Sequence, residues 1–164
     1  MSAPFLLPFN IDPSRSTRIQ PGFPEWERSF VSGPDSRLFQ VSHFISEEDP
    51  HLLITRSQFL AQSEGPPGHV HGGATAGLLD EVMGVLVWHH QYKSLTQSIQ
   101  IHYRKAIPMN TDATILTKMI SIHERTIEVH STIFDPQRTP YVTGQGIFHR
   151  LTADQLDRFR KKTD

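Results

Sequence analysis

Residues 68–88 of this chain read GHVHGGATAGLLDEVMGVLVW, a glycine-containing turn that runs into a long apolar segment. Pro66 and Pro67 exclude a helix directly before the turn, and the adjacent glycines at 72 and 73 let the backbone bend sharply. Apolar residues then recur at helical spacing, namely Leu78, Leu79, Val82, Val85 and Leu86. The stretch predicts one central helix that begins near Gly73 and ends between Trp88 and His90.

Asp80 lies in the middle of this predicted helix. On a helical wheel it is opposite the Leu and Val stripe, and its own side carries only small or apolar residues, namely Ala76, Gly77, Gly84 and Val87. A helix that is apolar all round is typically buried, and a carboxylate there is costly unless it has partners or a catalytic task. Asp80 is therefore a candidate general base or nucleophile; the alternative is a solvated carboxylate. Glu81, about 100° further round the helix, is the weaker candidate.

The amides of Gly72 and Gly73 lie where the helix begins. Free N–H groups at a helix start, with the positive end of the dipole, can stabilise a developing oxyanion. Asp80 is two turns away, roughly 10 Å along the axis, which is too far to act on the same carbonyl within one chain. If the two cooperate, the aspartate must come from a second copy, so the spacing predicts a homodimer.

These residues resemble the hotdog-fold acyl-CoA thioesterases, and most closely the PaaI/THEM4-like branch. The resemblance spans roughly residues 51–150 and rests on three features: Gly65-Pro66-Pro67-Gly68, His71-Gly72-Gly73, and Asp80 nine residues after His71. It implies an α+β fold in which an antiparallel sheet wraps around one long helix. It also implies a homodimer or homotetramer in which the aspartate acts across the dimer from the glycine turn.

The same resemblance suggests further site residues. His71 is expected to fix the turn or contact the substrate, and Thr96 to orient water or the carboxylate. His102 and Arg104 match positions that line the CoA path, and Gly65 stands where several relatives carry an asparagine that touches the thioester. With glycine there, polarisation of the carbonyl is expected to rest on the backbone amides. Each residue also has a structural alternative: a satisfied histidine, an ordinary strand threonine or a solvated surface charge.

Alternation of apolar and polar residues predicts strands at 38–46 and 52–61 before the helix and at 94–104, 113–123, 126–134 and 141–150 after it. A capped pattern at 152–162 predicts a short surface helix. The proline-rich residues 1–36 are interpreted as an arm, and residues 37–164 as the hotdog domain. Within the arm, Pro24 to Phe30 is expected to form either a short helix against the domain or part of a mobile tail.

Composition excludes several classes of function. The net charge is −1 and no long run of like charges occurs, so nucleic acid is not expected as a partner. The chain has no cysteine, which excludes disulfides, thiolate nucleophiles and cysteine-type zinc sites and fits a reducing compartment. No segment reaches about 18 consecutive apolar residues, so no membrane span is expected. The predicted location is the cytoplasm, with the mitochondrion left open.

The function predicted from these observations is hydrolysis of an acyl-CoA or acyl-carrier thioester, with water as the second substrate and no metal or redox cofactor. A metal site at His69, His71, His89 and His90 is disfavoured because the helix would separate the two pairs by about 25 Å. Two alternatives stay open. One is a non-catalytic acyl-CoA or acyl-carrier binding protein of the same fold, and the other is a hotdog dehydratase or isomerase, whose histidine–carboxylate spacing His71 and Asp80 do not match.

Overall fold

The computed structural model describes residues 4–160, which form one antiparallel sheet around one long helix. In chain order the elements are β1 (Ser16–Ile19), β2 (Phe39–Ser46), β3 (Leu52–Phe59), α1 (Gly72–His89), β4 (Ser94–Tyr103), β5 (Asp112–Ile122), β6 (Thr126–Phe134), β7 (Pro140–Arg150) and α2 (Ala153–Arg160). The sheet order is β1-β2-β3-β5-β6-β7-β4. This architecture confirms the predicted α+β fold with a sheet wrapped around one central helix.

The central helix α1 begins at Gly72, one residue before the predicted start, and ends at His89 within the predicted range. All five residues of the predicted apolar stripe, Leu78, Leu79, Val82, Val85 and Leu86, are 0% exposed. Full burial of a Leu or Val side chain stabilises the fold by about 1.5–3 kcal/mol. The helix is therefore the centre of the main hydrophobic core, as its sequence predicts.

A glycine on β7 lets the sheet approach this helix closely. A Cβ added at Gly146 would lie only 2.6 Å from Met83 Sδ, so a larger residue would displace the helix or its methionine. Met83 itself is fully buried in the core.

Strand β4 forms a free edge of the sheet next to the helix. It pairs with β7 on one side only, and its register shifts between Thr96 and Ser98, which marks a β-bulge. Because side chains alternate between the two faces of a strand, one extra residue reverses the alternation. Thr96 before the bulge and Ile101 after it therefore both face the helix side.

The N-terminal arm packs on the domain at several points. Leu7 is buried on the outer face of the sheet with Leu52 and Ile54, and its N–H donates to Thr132 Oγ1 at 3.1 Å. Strand β1, which was not predicted, pairs with β2. The expected short helix is a single 3₁₀ turn at Trp26–Arg28.

The six predicted strands are confirmed, with each end within two residues of its expected position. The division between arm and domain at residue 36 stays a prediction. The short C-terminal helix is α2, and the predicted helical positions 161 and 162 lie outside the described residues. None of the helices found within residues 4–160 has the length and apolar content needed to cross a bilayer.

Candidate active site

Asp80 projects from the middle of α1 toward β4, where Thr96 Oγ1 donates a hydrogen bond to its Oδ1 at 2.7 Å. Thr96 before the bulge and Ile101 beyond it face the helix side of β4 together. Among the residues that the structure describes, no other donor bonds to this carboxylate. Its Oδ2 is thus available to a water molecule or a substrate, while the Thr96 hydroxyl restrains Oδ1.

His71 caps the start of α1. It has an extended backbone (φ −65°, ψ 134°), and its Nδ1 accepts the Gly73 N–H at 2.9 Å. The accepting Nδ1 carries no proton in this arrangement, so the ring proton lies on Nε2. The expectation that both glycine amides are free is therefore wrong for Gly73, because the capping ring occupies its N–H.

The Gly72 N–H has a different environment. Within residues 4–160, no oxygen accepts it. The Gly72 carbonyl accepts the Tyr103 hydroxyl at 2.7 Å, which ties the end of β4 to the helix start. Partial burial raises the pKa of Tyr103 above its ordinary value, so the phenol stays protonated and donates at neutral pH. The first helical amide is consequently both free and held in place.

Gly65 packs directly against the turn at His71. A Cβ at this position would lie 2.8 Å from His71 Cα, so any side chain would push the turn away. The turn backbone is fixed further because His71 N–H donates to Ser63 O at 2.7 Å and Val70 N–H donates to Ile107 O at 2.9 Å. This packing explains why position 65 requires a residue without a side chain. The predicted contact between Gly65 and the substrate stays a prediction.

Two surface clefts lie beside these groups. One, of about 380 Å³, contains Asp80 and Thr96 and continues along Gly84 of the helix. The other, of about 320 Å³, lies at Gly72 and has Arg104 at its border. Because Thr96 and Tyr103 lie near opposite ends of β4, the carboxylate and the free amide of one chain belong to separate clefts.

His102 is not brought to either cleft. It follows Ile101 on β4 and so points to the other face of the strand, where its ring lies 5.4 Å from the ring of Phe5. Of the two expected substrate contacts, Arg104 therefore borders the Gly72 cleft, whereas His102 does not.

Comparison with known proteins shows which family this chain is similar to. The family model described as "Thioesterase superfamily" matches residues 67–141, which contain the turn and all of α1, β4, β5 and β6. The chain has the hotdog fold, and over residues 67–141 it is similar to the thioesterase superfamily.

Individual proteins show the same similarity. The mouse (Mus musculus) acyl-coenzyme A thioesterase THEM4 is 28% identical over 132 residues, which are 80% of this chain and 55% of that protein. The crystal structure of RHA08564, a thioesterase superfamily protein, aligns with a TM-score of 0.62 at 27% identity and covers 66% of this chain and 53% of the other. A hypothetical thioesterase from Streptococcus pneumoniae, solved with coenzyme A, shares the fold (TM-score 0.63, 16% identity, 71% of this chain and 89% of the other). The chain thus spans about half the length of the mouse relative.

The carboxylate next to Asp80 has a separate task. Glu81 Oε1 accepts the hydroxyls of Ser29, at 2.7 Å, and Ser32. This pairing gives a physical reason why Glu81 is the weaker catalytic candidate, since its oxygen already binds the arm. Sequence reasoning missed both this contact and Tyr103, which reads as an ordinary aromatic strand residue.

Proposed function

We propose that this protein hydrolyses acyl-CoA thioesters to a free acid and CoA. The observation that carries the proposal is the hydrogen bond from Thr96 to Asp80 in an open cleft, with one carboxylate oxygen left free. Asp80 either removes a proton from the attacking water or attacks the thioester carbonyl itself; the sequence left both roles open. In the first case the water oxygen adds to the carbonyl, the C–S bond breaks, and the proton taken by Asp80 passes to the CoA sulfur. In the second case the C–S bond breaks as a mixed anhydride forms on Asp80, and water then hydrolyses this anhydride, which frees the acid, restores the carboxylate and supplies the proton for the CoA thiolate.

The oxyanion that forms on the carbonyl is proposed to bind the free Gly72 N–H. This amide is at the positive end of the α1 dipole, and Tyr103 holds its residue in place. A preorganised donor of this kind is worth about 10²–10³ in kcat. Thr96 keeps the Asp80 carboxylate aimed and so acts as a positioning residue.

We propose that the complete site is shared between two copies. Gly72 and Asp80 are eight residues apart on one helix, about 12 Å along its axis, so they cannot act on the same carbonyl. β4 is a free edge with unpaired backbone groups, and it exposes Leu95, Ile99 and Tyr103. Antiparallel pairing of two β4 strands centred on Gln100, with the extra residue of each bulge left unpaired, would place Thr96 of one copy opposite Tyr103 of the other.

Two exposed cations support a CoA substrate. Arg104 and Lys105 lie at the border of the Gly72 cleft, where phosphate groups of CoA can pair with them. The solved Streptococcus pneumoniae relative contains coenzyme A. His102 has no part in this proposal, because it lies on the other face of β4. The cytoplasmic location stays a prediction from the cysteine-free composition.

The test is steady-state release of CoA from acyl-CoA substrates, with a thiol reagent as the readout. Asp80→Asn should lower kcat by about 10²–10⁴, since a general base or nucleophile is lost. Glu81→Gln is the matched control on the adjacent residue and should keep most of the activity on short substrates. An active Asp80→Ala enzyme would end the proposal, and tight binding of acyl-CoA without turnover in the wild type would favour the binding-protein alternative.

A further inference from the structure

A segment of the N-terminal arm, residues 22–32, covers one side of α1; we call it the strap. At one end, a Cβ at Gly22 would lie 3.3 Å from the Trp88 carbonyl oxygen. At the other end, a Cβ at Gly77 would lie 3.9 Å from the side chains of both Phe30 and Val31. The strap therefore runs antiparallel to the helix, and it lies outside residues 67–141 that match the family model.

The strap is anchored near its C-terminal end by Glu81. Its Oε1 accepts the hydroxyls of both Ser29 and Ser32, and Ser29 Oγ in turn accepts the N–H groups of Val31 at 3.1 Å and Ser32 at 3.2 Å. Val31 is 1% exposed. This partly buried anchor, together with the buried Val31 side chain, holds the strap against the helix.

The strap also forms part of the Asp80 cleft. Phe23 and Pro24 line the cleft opposite Gly84 and Trp88 of the helix. The Trp88 ring is held by a hydrogen bond from its Nε1 to Ser94 O at 3.2 Å and by the Lys93 ammonium 4.7 Å from the ring centroid. The cleft thus begins at the Asp80 carboxylate and ends at Phe23 and the Trp88 ring.

The length of the cleft follows from the helix. Asp80 and Trp88 are eight residues apart, about 12 Å along the axis, the length of an extended chain of roughly ten carbon atoms. Between them, a Cβ at Gly84 would meet only Phe148, at 4.0 Å, so the glycine leaves space along the cleft. A chain that leaves a carbonyl at Asp80 would pass Gly84 and reach the aromatic end.

We propose that the strap is the outer wall of an acyl-chain subsite and that Phe23 and Trp88 close its far end, so that the protein selects acyl groups of about eight to ten carbon atoms. The inference rests on the proposed thioesterase function. It extends that function by naming the substrate class and by giving a task to a segment beyond the matched family region.

The experiment measures kcat/KM for saturated acyl-CoA substrates from two to sixteen carbons. Phe23→Ala and Trp88→Ala remove the closed end, so the preferred chain should lengthen by two carbons or more. Gly84→Leu fills the cleft, so the preferred chain should shorten. Phe9→Ala is the matched control, because Phe9 belongs to the same arm but packs on Phe134 at the outer face of the sheet.

A second readout does not depend on turnover. Calorimetric binding of the same series to Asp80→Asn protein should tighten about fourfold per methylene up to the preferred length and then level off. Trp88→Ala in this background should extend the range, and Gly84→Leu should shorten it. The opposite signs of these two changes keep the test informative if one variant fails to fold.

The outcomes separate the two proposals. If wild-type protein hydrolyses the series but none of the three cleft variants moves the preferred length, the subsite proposal is wrong and the thioesterase function stands. The subsite proposal is also wrong if Phe9→Ala changes the preferred chain length as much as Phe23→Ala does. If no substrate is hydrolysed but binding shows the predicted length dependence, the subsite stands and the hydrolytic function fails.

Discussion

His43 on β2 should make the protein less stable in mild acid. Its side chain is buried, the residue being 3% exposed, and its Nδ1 lies 2.9 Å from Thr55 Oγ1. Among the described residues, no group bonds to its buried Nε2. Burial disfavours the charged imidazolium and lowers the pKa of His43 from 6.5 to about 4.

The magnitude follows from this shift. Between pH 6.5 and about 4, the unfolded chain binds a proton at His43 that the folded chain does not bind. The contribution of neutral His43 to the free energy of unfolding is therefore fully present above pH 6.5 and is lost as the pH drops through this window. The free energy of unfolding should decrease by up to 1.4 kcal/mol per pH unit, and in total by about 3 kcal/mol.

The assay is urea unfolding followed by circular dichroism from pH 8 to pH 4, on the wild type and His43→Asn. Asparagine can still bond to Thr55 but does not ionise, so other titrating groups cancel in the difference between the two curves. That difference should change by about 3 kcal/mol across the window. Thr55→Val is the control: it removes the hydroxyl but leaves the ring buried, so the pH dependence should remain. A difference that stays constant with pH would refute the reasoning.

Two further predictions concern the site. Thr96→Val should lower kcat about tenfold with little change in KM, because it removes a charge-assisted hydrogen bond from the Asp80 carboxylate. Thr96→Ser, which keeps a hydroxyl, should restore most of the rate. An unchanged kcat in the valine variant would remove Thr96 from the mechanism. Gly65→Ala should destabilise the fold by about 1–3 kcal/mol in urea unfolding, because its Cβ would collide with His71. Gly84→Ala is the control, since a Cβ at that position has space. Equal stability of the two variants would contradict this packing argument.

The helix and most strands could be predicted because their signals are local. Prolines and glycines at 66–73 fix where α1 begins, and its apolar repeat is long enough to exclude a strand. β1 has only four residues within a proline-rich arm, and it forms because β2 offers a distant partner edge. Local sequence carries no sign of that partner.

Local sequence signals also predict one part of the candidate site, namely the position of Asp80. The position of Asp80 on the helix follows from periodicity, and its cleft contains Gly84 as the helical wheel suggested. Val87, placed on the same side by the wheel, is fully buried in the core instead. The bulge after Thr96 decides that Ile101 faces the helix and His102 does not, and a bulge depends on pairing between strands. The capture of the Gly73 amide by His71 depends on one side-chain rotamer, which residue spacing does not specify.

The shared site is the central claim, and subunit complementation tests it most directly. Gly72→Pro deletes the proposed oxyanion donor, and proline suits the first helical position because His71 before it is already extended. Gly72→Pro and Asp80→Asn chains, each inactive as homodimers, are mixed under conditions of demonstrated subunit exchange, and CoA release is measured. The account predicts that mixed dimers regain one intact site and about a quarter of the wild-type activity in an equal mixture, by random pairing of chains. Complete exchange without any return of activity would contradict it.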